Sequence, residues 1–285
     1  MARFKYITPS HYPQLPESWH DEVIFTKFKN KVLYRMMLDD DNPQGIVKPN
    51  GLMIYGPPHN GKLNLALQMA HMAGFPYIMV RRHDILDREQ NSTCDGLMSL
   101  FESAREMSPV VIIIENVETI IPSREMIRNS GAYVDVMANL SLLKECGRNH
   151  IYVFATTSRP NDVDSQIGTY GYLDELFFTP YPDCKKRAEI IEKMTACVAS
   201  IDSSVLESVV EKTEDYTIGD LRALMNEVKL EAALTGQPID GNLMKRVFEN
   251  FRTPLSGMFR AKLEQVHRVL ESNAKAQQRL NIGFR

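Results

Sequence analysis

The sequence predicts an α/β fold: a five-stranded parallel sheet sandwiched by helices, followed by a small helical domain. Three observations predict it. Up to Asp183, short and nearly continuous apolar runs alternate with helical patterns, as strands buried on both faces and joined by crossover helices do. One strand–helix junction carries the glycine-bounded loop Gly56-Pro57-Pro58-His59-Asn60-Gly61-Lys62-Leu63. After Asp183 the strand patterns stop and only amphipathic helical patterns follow.

The elements follow in order. Residues 1–19, with Pro9, Pro13 and Pro16, read as an extended lead-in. A helix is predicted from about Asp21 to Asp40, closed by Asp41-Asn42-Pro43-Gln44-Gly45. The predicted strands are Gly51–Tyr55, Pro76–Val80, Val110–Ile114, Ile151–Ala155 and Glu175–Thr179. Helical patterns lie between them at 61–74, 94–107, 131–147 and 162–170, giving an α/β domain over 20–183. Residues 184–199, 203–213, 217–235 and 240–250 form a second, helical domain over 184–251. Within it Thr217 starts a helix, Leu221, Leu224, Met225 and Val228 line one side, and Gly236 stands just past the end.

A further helix at 255–275 belongs to a C-terminal stretch, 252–285, that is basic. Arg252, Arg260, Lys262, Arg268, Lys275, Arg279 and Arg285 face only Glu264 and Glu271. A solvated helix with a loose tail is one reading; a docking surface for nucleic acid or an acidic partner is the other.

A chain of 285 residues can bury a sizeable core, and 44% hydrophobic with 24% charged residues is an ordinary soluble composition. The net charge of −3 gives no general drive toward nucleic acid or an anionic membrane. No apolar run approaches a bilayer span, and Met1-Ala2-Arg3-Phe4-Lys5 lacks a signal-peptide core. A cytoplasmic location without a membrane partner is therefore expected. Cys94, Cys146, Cys184 and Cys197 show no C-x-x-C spacing and read as reduced thiols.

The loop has the spacing G-x-x-x-x-G-K of a phosphate-binding P-loop. It follows the strand Leu52-Met53-Ile54-Tyr55 and opens a helix at Asn64. That context suits an anion, because unpaired amides and the helix dipole meet there. Gly56, Pro57, Pro58, His59, Asn60, Gly61, Lys62, Leu63 and Asn64 are the candidate nucleotide-binding residues of a P-loop NTPase fold. Asn60 suits a strained turn; His59 is bulkier than such a turn favours. Leu63 stands where the motif carries a Ser or Thr whose hydroxyl meets Mg²⁺. ATP or ADP is therefore expected, with Mg²⁺ weakly held.

The run Val110-Val111-Ile112-Ile113-Ile114-Glu115-Asn116-Val117-Glu118 is an apolar strand ending in a carboxylate. P-loop enzymes place an acid beside Mg²⁺ in this way, so Glu115 is the candidate metal ligand. Asn116 follows, where a carboxylate would polarise the attacking water. It can orient water but cannot take its proton, and losing a general base costs ~10²–10⁴-fold. Glu118 is a second carboxylate able to replace part of that function.

With these stretches go Leu100-Phe101-Glu102-Ser103-Ala104-Arg105, Thr157-Ser158-Arg159-Pro160, Pro182-Asp183 and Asp215-Tyr216-Thr217-Ile218-Gly219-Asp220-Leu221. Together, in this order, they resemble an AAA-family (AAA+) ATPase domain over roughly residues 20–250. The group is that of the proteasomal, membrane-fusion and segregase ATPases. The His-Asn-Gly-Lys and Thr-Thr-Ser-Arg runs are also similar to the second ATPase domain of the N-ethylmaleimide-sensitive fusion protein, which holds a ring together.

The resemblance implies a helical lid over 184–251, Lys62 on the terminal phosphates, Glu115 at the Mg²⁺ acid and Asn116 at the catalytic Glu. It puts Ser158 at the sensor that aligns water, which the family fills with Asn. Thr169-Tyr170-Gly171-Tyr172 aligns with the arginine-finger segment and carries no arginine; such an arginine is worth ~10³–10⁵ in rate. Arg88-Glu89-Gln90-Asn91 aligns with the pore loop and lacks its aromatic. The degenerate catalytic set, Glu115, Asn116 and Ser158, beside a preserved loop predicts an AAA-type ATP-binding protein with weak or lost hydrolysis. It would be a structural or regulatory subunit of a ring, either a homo-oligomer or a mixed ring with other AAA subunits. Two alternatives stand beside it. One is an active divergent AAA ATPase that remodels protein or nucleoprotein complexes, its arginine coming from Arg124, Arg128 or a partner chain. The other is a nucleic-acid-associated factor using the basic C-terminal helix.

Overall fold

Both faces of one sheet are covered, which is why its strands are apolar without alternation. The computed structural model describes residues 4–15, 19–86, 92–127, 130–144, 146–195, 202–251 and 260–282. The strands are β1 (Tyr6–Ile7), β2 (Gly51–Tyr55), β3 (Tyr77–Val80), β4 (Val110–Glu115), β5 (Ile151–Thr157) and β6 (Glu175–Phe178). Their order is β1-β3-β4-β5-β2-β6. The five strands from β2 to β6 pair in parallel, whereas β1 pairs antiparallel with β3. The expected five-stranded parallel sheet is therefore six-stranded and mixed. A two-residue edge strand inside a proline-bounded lead-in carries no period to read.

Alternate residues of each strand enter opposite cores. On one face Val110, Ile112, Ile114, Val153 and Ala155 pack with Leu97, Leu100 and Phe101 of α5 (Cys94–Glu106) and with Val136 and Leu140 of α6 (Ser130–Leu143). On the other, Val111, Ile113, Tyr152 and Phe154 pack with Leu65, Ala66 and Met69 of α3 (Lys62–Ala73). Phe28 and Val32 join this second core from α1 (Glu22–Phe28) and the π turn Lys29–Leu33 that continues it into α2 (Tyr34–Met36). A short α4 spans Arg82–Ile85. The lead-in is held down as well: the Tyr12 hydroxyl donates to the Phe75 carbonyl at 2.5 Å, and its ring stacks on His71 at 3.9 Å.

The helix expected at 162–170 does not form. Asp164 turns its side chain onto the Gln166 amide at 2.9 Å, and Leu173 N–H returns to the Ile167 carbonyl at 2.9 Å. A short polar side chain competing for local amides, with Gly168 and Gly171 nearby, favours successive turns over a helix.

The chain divides into two compact units. The first comprises 1–56, 62–178 and 266–285; the second comprises 57–61 and 179–265. The second unit is helical: α7 (Cys184–Thr195), α8 (Ser203–Lys212), α9 (Ile218–Thr235), α10 (Gly241–Asn250) and the first turns of α11 (Arg260–Ile282). Thr217 and Asp220 close a reciprocal capping box on α9, and Gly236 ends it at φ +66°. The buried Arg187 guanidinium satisfies the carbonyls of Val210 and Pro182 at 3.0 Å each.

The later part of α11 belongs to the first unit, where His267 anchors it. The His267 ring stacks on Phe178 at 4.0 Å, and its Nδ1 lies 2.8 Å from the hydroxyl of buried Tyr55. Burial raises the Tyr55 phenol well above its ordinary pKa. Of the basic residues in this stretch, Arg260 is paired with Asp215 and Glu264. Arg252 and Arg285 fall outside the described residues.

Phe154 has no exposed surface and meets Phe28 edge-on at 5.9 Å. Phe154→Ala is expected to lower stability by about 3–5 kcal/mol in urea unfolding. A loss under about 1 kcal/mol would contradict this packing.

Candidate functional site

The strand register gathers most of the predicted residues at one edge of the sheet. Glu115 at the end of β4 lies across from Thr156 of β5, and Tyr55 at the end of β2 lies across from Thr157. Gly56, Asn116 and Ser158 therefore leave the sheet side by side, beyond the strands' C-terminal ends. In open parallel sheets this is the edge where ligands bind.

Lys62 opens α3 and is only 8% exposed. Its Nζ donates to the Gly56 carbonyl at 3.1 Å. Burial lowers its pKa to about 8, opposed by the charges of Glu118 and, less strongly, Glu115. Leu63 is partly buried and packs against the core that contains Phe28 and Leu65. The residue that replaces a metal-binding hydroxyl is thus a packing residue. Asn64 is half-buried in the next position of α3.

The acids are arranged differently from the sequence reading. The Glu115 carboxylate is paired with Arg81, Nε to Oε2 at 2.5 Å. Asn116 is exposed and left-handed, at φ +56°. Its carbonyl accepts from the Thr119 amide at 2.9 Å and hydroxyl at 2.8 Å. Asn is among the few side chains that tolerate this conformation, so the turn explains the residue as well as lost catalysis does. Ser158 is half-buried. Glu118 is buried, one oxygen facing Arg159 at 3.4 Å.

Within the second unit, the middle of the loop is pinned by Asn60. This side chain is 1% exposed. Its amide donates to the carbonyls of Thr179 at 3.3 Å and Pro180 at 2.7 Å, and its Oδ1 accepts from the Ile218 amide at 3.4 Å. The strained position is His59, exposed at φ +55°, and Asn60 is a clip. The His59 carbonyl accepts from the Gly219 amide at 3.0 Å. A Cβ on Gly219 would fall 2.6 Å from the His59 Cβ, so only glycine allows this approach.

The remaining predicted residues lie elsewhere. Thr169–Tyr172 precedes β6, at the opposite edge of the sheet from the loop. There Asp174 accepts from the amides of Asn50 at 2.7 Å and Gly171 at 2.9 Å, while Asn50 donates to the Gly171 carbonyl at 2.8 Å. Arg124 is paired with fully buried Asp164 at 3.3 Å and lies over the Tyr133 ring. Its side chain remains half exposed. Arg128 and the pore-loop segment 88–91 lie outside the described residues.

Arg81 and the Glu118–Arg159 pair were missed by sequence reasoning. The signal for Arg81 lay in register: Val80 is across from Ile114, so the next residue of each strand meets its neighbour. Among the described residues no cluster of three or more His, Cys, Asp or Glu could hold a metal ion. Nor, among the described residues, is any helix long and apolar enough to cross a membrane.

Residues 52–181 match the sequence model of the family described as "ATPase family associated with various cellular activities (AAA)". Protein SAV of Sulfolobus acidocaldarius is 32% identical over 191 residues, which is 66% of this chain and 24% of that protein. The chain thus spans about a quarter of the length of this relative.

An anion beside Lys62 favours the charged ammonium, yet in the free protein that group loses its proton as pH rises through about 8. ATP affinity is therefore expected to fall above that pH, by up to about tenfold per pH unit. Titration with a fluorescent nucleotide across the alkaline range checks this; a flat profile would contradict it.

Proposed function

Residues 52–181 form an AAA-family ATPase domain, and from that premise we propose that the chain is an ATP-binding protein with weak or lost hydrolysis. It acts as a structural or regulatory subunit of a ring, the assembly common in this family. The observation that carries the reading is a kept phosphate cradle beside an occupied acid. Buried Lys62 and the amides opening α3 suit the phosphates of ATP or ADP. Glu115, the expected metal ligand, is closed by Arg81 at 2.5 Å.

This donor set does not fit Mg²⁺ well. Leu63 offers no oxygen and packs against the core, and a cation at Glu115 must displace a guanidinium. Mg²⁺ is accordingly weakly held, and nucleotide is gripped chiefly by Lys62 and the backbone. Asn116 supplies no base, Ser158 is a partial substitute for the sensor, and Arg124 is paired with Asp164.

A mixed ring with other AAA subunits is favoured over a homo-oligomer on one ground. Thr169–Tyr172 offers a neighbour no arginine, so any site completed across an interface needs a partner chain that carries one. The alternative of an active, divergent remodelling ATPase is supported by Glu118, the buried carboxylate near Lys62. The nucleic-acid reading draws less support, since Arg260 is neutralised by Asp215 and Glu264.

Purified full-length chain is expected to bind ATP and to lose that binding on Lys62→Ala. Its steady-state turnover should lie at least ~10²-fold below the ~1 s⁻¹ lower end typical of enzymes. Robust turnover abolished by Lys62→Ala would sink the proposal, as would failure to bind ATP at all.

A further inference from the structure

Glu118 is a buried carboxylate that the fold leaves half-satisfied. It sits in the short turn Val117–Thr119 just past β4, and its side chain is 4% exposed. Its Oε1 faces the Arg159 guanidinium, Nε at 3.4 Å and Nη2 at 3.5 Å. Its Oε2 is buried and has no hydrogen-bond partner in the protein. An ionisable oxygen in that condition is unfavourable unless water or a ligand meets it.

Its surroundings say which ligand. Of the two carboxylates whose charge favours the Lys62 ammonium, Glu118 acts more strongly than Glu115. The two carboxylates divide the work of the strand end. Glu115 is 24% exposed and closed by Arg81; Glu118 is enclosed, and one of its oxygens is open. Asn116, between them, is exposed and has no proton-accepting group.

We propose that Glu118 is the catalytic base of this site, its Oε2 holding the water that attacks the terminal phosphate of ATP, with Arg159 as the positioning residue that fixes Oε1. The inference rests on the ATP-binding reading above. In the step, the water oxygen bonds to the terminal phosphorus while the bond from that phosphorus to the bridging oxygen breaks. The electron pair leaves with ADP, and the water's proton passes to Glu118 Oε2. Turnover stays slow because no arginine of the chain's own finger segment meets the developing charge.

The test uses the full chain loaded with ATP in the presence of Mg²⁺, held for hours, with bound nucleotide then separated by chromatography. The wild type is expected to convert bound ATP to ADP, and Glu118→Gln to do so at least about tenfold more slowly. Arg159→Ala should slow conversion and Arg159→Lys restore part of it. A second readout needs no turnover. Glu118→Gln should tighten ATP relative to ADP by roughly threefold to tenfold, because the carboxylate no longer repels the terminal phosphate. Glu118→Asp keeps the charge but withdraws the oxygen, so it should leave that ratio unchanged and still slow conversion; it also serves if Glu118→Gln fails to fold. Bound ATP left intact by the wild type would overturn the inference while leaving the binding reading in place. So would wild-type conversion by Glu118→Gln, or a loss that follows Glu115→Gln instead. ATP that does not bind would remove the reading beneath it.

Discussion

An ammonium group buried at the head of a helix organises the C-terminal edge of this sheet. Lys62 is 8% exposed, and burial holds its pKa at about 8. Such a charge is tolerated only with compensation. The Gly56 carbonyl at 3.1 Å and the fields of Glu118 and Glu115 provide it. Because the unfolded lysine titrates higher, the unfolded state binds more protons between the two values. Lys62 therefore weakens the fold at neutral pH and is relieved as pH rises through that window. An anion at the same place relieves it at neutral pH, and that is the physical case for a phosphate.

The altered positions of the site look different once their packing is known. Leu63 does not merely lack a hydroxyl; it packs against the core on the α3 face of the sheet. Asn116 is not only a missing acid, since its backbone is left-handed at φ +56° and suits Asn. Glu115 is paired with the Arg81 guanidinium. Each change has a local partner, and together they describe a settled structure.

The sheet was legible because two-sided burial writes itself as unbroken apolar runs, and β2 to β6 all lie where those runs are. β1 was not, since two residues carry no period. The helix expected at 162–170 failed because Asp164 bonds locally to Gln166. In the site, the loop from Gly56 to Lys62 was readable because its chemistry is contiguous. Arg81 and Arg159 were not, because each meets its partner only through strand register or a turn. Asn60 was assigned the strain that His59 carries; a sequence does not say which of two neighbours points inward.

The central claim is that backbone and Lys62, rather than a metal ion, hold the nucleotide. Calorimetric titration of ATP into the full chain, with Mg²⁺ and with a chelator in its place, tests it most directly. The account predicts binding in both, with dissociation constants within about threefold of each other, or roughly 0.7 kcal/mol. Binding that appears only when Mg²⁺ is present would contradict it.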